Sequence, residues 1–112
     1  MTAAAGARHG TGRMLVVDDE EINRLILANL FEDRFEVEEA ADGQEALEAL
    51  LAAPTSYAAV LLDVMMPRVD GLEVLRRLGP TGLLARVPAF LITAERGSAV
   101  MEEAYRLGVM DF

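Results

Sequence analysis

Two kinds of apolar pattern alternate along this chain. Met14–Val17 is a short β-branched run closed by Asp18-Asp19, and it predicts a buried strand. The stretch "EINRLILANLF" then spaces Ile22, Leu25, Ile26, Asn29 and Leu30 on one helical face, with acids ahead of its first turn. "FEVEEA" sets Phe35, Val37 and Glu39 against Glu36 and Glu38, the period of a strand. "DGQEALEALLA" opens on an Asp-Gly turn, puts Ala46, Leu47, Leu50 and Leu51 on one helix face, and is stopped by Pro54.

The second half repeats the alternation. "YAAVLLD" is apolar up to its last residue, as expected of a strand buried on both faces. A "PRVDG" turn leads into "LEVLRRL", a helix with Leu72, Leu75 and Leu78 on one side, and "GPTG" ends it. Val87–Thr93 predicts a fourth strand. "SAVMEEAYRLG" predicts a helix with Ser98 as N-cap and Gly108 at its end, and "VMDF" begins a further element. Strands alternating with helices imply an α/β fold, with a parallel sheet and right-handed crossovers. Residues 1–12 read as a flexible leader and residues 13–112 as one domain.

Composition narrows the chemistry. The chain has 112 residues, 53% of them hydrophobic, enough for a real core. Its net charge is −9, from 19 acids and 10 bases, which argues against direct nucleic-acid binding and against anionic membranes. There is no cysteine, and the single histidine, His9, lies in the polar leader. Disulfides, thiol catalysis, a Ser-His-Asp triad and His- or Cys-based metal sites are therefore excluded. No apolar run approaches the ~18–20 residues that cross a bilayer, and no signal peptide is present, so a cytoplasmic location is expected.

In an open parallel sheet, chemistry collects at the carboxyl ends of the strands. Asp18-Asp19, Asp63 and Thr93 all fall there. Each has a plainer reading alone. Asp18-Asp19 could cap the next helix, Asp63 could be a solvated strand end, and Thr93 could be only a β-former. Met65-Met66-Pro67 could be a turn with an apolar anchor. Together at one edge they point to a site, because three crowded carboxylates call for a hard divalent cation, Mg²⁺ or Mn²⁺. Such a cation with a hydroxyl beside it suits phosphoryl chemistry, and aspartates are nucleophiles for phosphoryl groups.

The motifs "LVVDDEEINR", "LLDVMMPRVDG", "LITA" and "GVMDF", in this order, resemble the receiver domains of two-component response regulators over Arg13 to Phe112. The resemblance implies a flavodoxin-like, doubly wound sheet of order 2-1-3-4-5, here stopping at the start of strand five. It implies that Asp63 accepts a phosphoryl group from the phosphohistidine of a sensor histidine kinase or phosphotransfer protein. Asp19 would ligate the cation directly, Asp18 through water, and Met65 through its backbone carbonyl. Thr93 would swing its hydroxyl to the phosphoryl group, Ala94 would keep that group accessible, and Phe112 would be the switch aromatic. Pro67 and Gly71 would shape the loop after the acceptor.

The family's lysine, in "DF-x-x-K-P", falls beyond Phe112, so the expectation is either a longer product or a degenerate pseudo-receiver acting as an interaction or dimerisation module. A homodimer is a further expectation. The protein would be no enzyme beyond turning over its own phosphoryl group. In the family pattern Met65 and Glu95 flank the path of the attacking water; an apolar Met65 would hinder it and Glu95 would orient or repel it, and a fairly long-lived phosphoryl group is expected. "DEEINR" is closer to receivers of hybrid kinases or multidomain regulators than to one DNA-binding class; alternatively Asn23 and Arg24 are ordinary exposed helix positions. A phosphohydrolase of the haloacid dehalogenase type needs a second acid where Met65 stands. Flavin binding needs a Ser/Thr/Gly-rich loop in place of "DDEEIN".

Overall fold

A computed structural model describes residues 12–66, 69–92 and 98–110. Strands β1 (Arg13–Val17), β2 (Glu36–Ala40), β3 (Tyr57–Asp63) and β4 (Ala89–Ile92) alternate with helices α1 (Glu21–Phe31), α2 (Gly43–Ala52), α3 (Gly71–Leu78) and α4 (Ser98–Leu107). The strands form one parallel sheet of order β2-β1-β3-β4, matching the first four positions of the expected order. Past α4, the Met110 N–H donates to the Ala89 carbonyl at 2.7 Å, so the chain there starts to run along the outer side of β4.

The central strands read as unbroken apolar runs because both of their faces are covered. On one face Leu15, Val17, Val60, Leu62 and Leu91 pack with Leu47 and Leu50 of α2, Val74, Leu75 and Leu78 of α3, and Ala104 of α4. On the other, Met14, Val16, Ala59 and Leu61 pack with Leu27 and Phe31 of α1 and with Phe35, Val37 and Phe90. Phe31 and Phe35 meet edge to face at 6.5 Å.

Several local expectations change. The predicted apolar face of α1 points away from the sheet: Ile22, Leu25, Ile26 and Leu30 are 50–64% exposed. The helix is apolar on more than one side, and the i, i+4 pair Leu27 and Phe31 takes the sheet-facing position. Leu51 likewise turns outward from α2. After α3 come two 3₁₀ turns, Gly79–Thr81 and Leu83–Ala85; the Thr81 hydroxyl donates to the Leu78 carbonyl and accepts from the Leu83 N–H. Ser98 is the first residue of α4 rather than the residue before it. Gly108 ends α4 as expected, at φ +109°, where only glycine is unstrained.

Candidate functional site

The sheet register builds the site. Val17 pairs with Leu62, so the next residues, Asp18 and Asp63, stand side by side at the carboxyl edge. Asp63 itself pairs with Ile92 of β4. The acceptor candidate is thus the last residue of a buried central strand, and the apolar run before it fixes its height at the edge. The loop beyond turns back at once: the Gly71 N–H donates to the Val64 carbonyl at 3.0 Å. A Cβ on Gly71 would sit 2.5 Å from the Asp63 carbonyl oxygen, so only glycine lets α3 start this close. Asp70 caps α3 through the Glu73 N–H at 2.9 Å.

Three carboxylates meet at this edge. Asp18 is buried, Asp63 half-buried and Asp19 exposed, and one oxygen from each lies within 4.8 Å of the others. Among the described residues no ion pair reaches any of the three. Burial first, then the charge of Asp18 and, to a lesser degree, that of Asp19 push the Asp63 carboxyl up to about 6. The backbone N–H of Met65, at 3.3 Å from Asp63 Oδ1, works in the opposite direction. Met65 is exposed, with its backbone against the Asp63 carboxylate, while Val64 and Met66 are buried and anchor the loop. Crowded, unneutralised oxygens of this kind fit a hard divalent cation, so the donor set agrees with Mg²⁺.

The structure therefore brings together Asp18, Asp19, Asp63 and the Met65 backbone. Thr93, Ala94, Glu95, Pro67 and Phe112 lie outside the described residues. One participant escaped sequence reasoning. Arg24 is not an ordinary exposed position: its side chain is 15% exposed and its guanidinium reaches both Glu39 and the Asp18 carbonyl. One partner lies in the loop after β1 and the other in β2, and no local spacing rule connects them.

A family model described as the response regulator receiver domain matches residues 14–112. The transcriptional regulatory protein SrrA of Staphylococcus aureus is 36% identical over 103 residues, which are 91% of this chain and 41% of SrrA. The chain thus spans about two fifths of that relative's length. Among solved structures, the chemotaxis protein CheY4 of Vibrio cholerae superposes with a TM-score of 0.80 at 28% identity, covering 89% of this chain and 82% of that one. The receiver domain of the Arabidopsis thaliana histidine kinase CKI1, complexed with Mg²⁺, superposes with a TM-score of 0.81 at 26% identity, covering 90% and 81%.

Proposed function

This chain belongs to the response regulator receiver domain family, and from that membership we propose that Asp63 accepts a phosphoryl group from the phosphohistidine of a sensor kinase or phosphotransfer protein. The observation that carries the proposal is the convergence of Asp18, Asp19 and Asp63 at the end of the central strands. With its carboxyl titrating at about 6, Asp63 is ionised at neutral pH and available as a nucleophile. Its oxygen forms a bond to phosphorus as the phosphorus–nitrogen bond of the donor breaks and the donor imidazole leaves. Its position as the last residue of a buried central strand fixes the backbone that carries the carboxylate, which favours a positioned nucleophile.

A divalent cation would be held by Asp19, Asp63 and the Met65 backbone carbonyl, with Asp18 holding it through water. When bound, it supplies positive charge against the phosphoryl oxygens. That the structurally similar CKI1 receiver domain is complexed with Mg²⁺ supports a divalent cation at this site. Phosphorylation adds roughly −1.5 to −2 charge. Thr93 would donate its hydroxyl to the phosphoryl group, Ala94 would leave it accessible, and Phe112 would follow Thr93 in switching an interaction surface. The chain would turn over only its own phosphoryl group, in the cytoplasm. By the family pattern Met65 and Glu95 would flank the path of an attacking water; an apolar Met65 would hinder that water and Glu95 would orient or repel it, and we expect a long-lived phosphoryl group, so a half-life on the order of seconds would refute that part.

The test is incubation with acetyl phosphate and Mg²⁺ followed by intact mass. We expect a phosphate adduct in the wild type and none in Asp63→Asn. No adduct on a chain extended past Phe112 refutes the acceptor role and favours a phosphorylation-independent interaction module.

A further inference from the structure

Asp18 is the buried member of the acid group, and its carboxylate is oriented by a short turn: Oδ1 accepts the Glu20 N–H at 2.9 Å. The turn is tied down on both sides. The Asp18 N–H donates to the Ala40 carbonyl of β2 at 3.2 Å. The Asp18 carbonyl accepts from Arg24 Nη1 at 2.7 Å, and Arg24 Nε donates to Glu39 Oε1 at 3.0 Å. One guanidinium therefore joins the acid turn, the first turns of α1 and the edge strand β2. We propose that Arg24 is a positioning residue for divalent-cation affinity at Asp18, Asp19 and Asp63: its two-armed clamp holds the turn so that the Asp18 carboxylate faces the site. The inference rests on the reading of those carboxylates as a cation site.

Two effects of Arg24 oppose each other, and this makes the idea testable. A guanidinium near a cation site repels the incoming ion through space, so charge alone weakens binding. A clamp on a ligand-bearing turn strengthens it by holding the geometry, as partners behind metal ligands do. Lysine keeps the charge but lacks the planar fork that spans both acceptors.

The experiment is a titration of the whole chain with Mn²⁺ alone, following loss of the free-ion signal by electron paramagnetic resonance, with circular dichroism to check folding. We expect Arg24→Ala to weaken the Mn²⁺ dissociation constant by about tenfold, and Arg24→Lys to recover part of the loss. Unchanged or tighter binding by Arg24→Ala overturns the proposal. If Arg24→Ala does not fold, Arg24→Lys decides: weaker binding than wild type supports the clamp, and equal binding refutes it. Wild-type Mn²⁺ binding that is absent, or that survives Asp63→Asn, overturns the cation-site reading and this inference with it. Wild-type binding that needs Asp63 but ignores Arg24 overturns this inference alone.

Discussion

Replacing Asp63 with Asn removes one of three crowded charges and keeps the side-chain shape. Because the folded-state value of about 6 lies above the usual 3.8, the native state holds this proton more tightly than the unfolded chain. Stability linked to Asp63 is therefore fully present below about pH 4 and is lost as the pH rises through about 6. A shift of about two pH units corresponds to about 3 kcal/mol at 1.36 kcal/mol per unit. Asp63 is only partly buried, and solvent screening reduces the effect to about 1 kcal/mol. Asparagine carries no charge to desolvate or repel, so the variant recovers that amount above pH 6 and gains nothing below pH 4. In a domain of this size, about 1 kcal/mol moves the melting temperature by about 4–8 °C. The assay is thermal unfolding by circular dichroism with a chelator present, at neutral pH and near pH 4. Asp63→Asn should melt higher than wild type at neutral pH and equally near pH 4. A lower melting temperature at neutral pH, or the same gain at both, would refute the reasoning.

Adding Mg²⁺ should raise the wild-type melting temperature at neutral pH and leave Asp63→Asn nearly unmoved; saturation at a hundredfold excess over the dissociation constant is worth about 2.7 kcal/mol. Gly71→Ala drives a Cβ to 2.5 Å from the Asp63 carbonyl oxygen and should cost about 1–3 kcal/mol in urea unfolding, with slower adduct formation from acetyl phosphate. Tyr57→Phe removes the hydroxyl that donates to Glu38 at 2.5 Å, at the opposite edge of the sheet, and should cost about 1–2 kcal/mol near pH 7 without slowing adduct formation. Burial first, then the bond to Glu38, push the Tyr57 hydroxyl up to about 12, so wild type should lose stability between about pH 10 and 12 and the phenylalanine variant should not. Asp42→Ala removes the cap that accepts the Glu45 N–H at 2.9 Å and should cost about 1 kcal/mol by the same unfolding assay.

The strands β1 and β3 were legible because a central parallel strand buries both faces and so reads as an unbroken apolar run. The end of such a run is a chemical event, and Asp18 and Asp63 announced themselves by closing one. That the two stand side by side was not local information. It follows from the pairing of Val17 with Leu62, which topology supplies. Which face of α1 meets the sheet was not legible for a related reason. Periodicity finds the widest apolar stripe, Ile22, Leu25, Ile26 and Leu30, but the sheet needed the narrower pair Leu27 and Phe31. Arg24 was opaque because its partners, Asp18 and Glu39, are joined to it only by tertiary structure.

The two ends of this sheet treat their acids differently. At the amino end Glu38 accepts from Arg13 at 2.9 Å and from the Tyr57 hydroxyl, so a part-buried acid is matched by a cation and a donor. At the carboxyl end, one sheet-length away on the same β1 and β3, three acids crowd together with no ion pair among the described residues. Glu38 is thus neutralised at the end of the sheet that has only stability to serve. A local conflict kept at one edge, against a consistent fold elsewhere, marks a place where function outweighs stability. The same carboxylate whose removal should raise the melting temperature is the one we propose as the nucleophile toward phosphorus. A gain in stability and a loss of the phosphate adduct in the single variant Asp63→Asn are therefore two readings of one design.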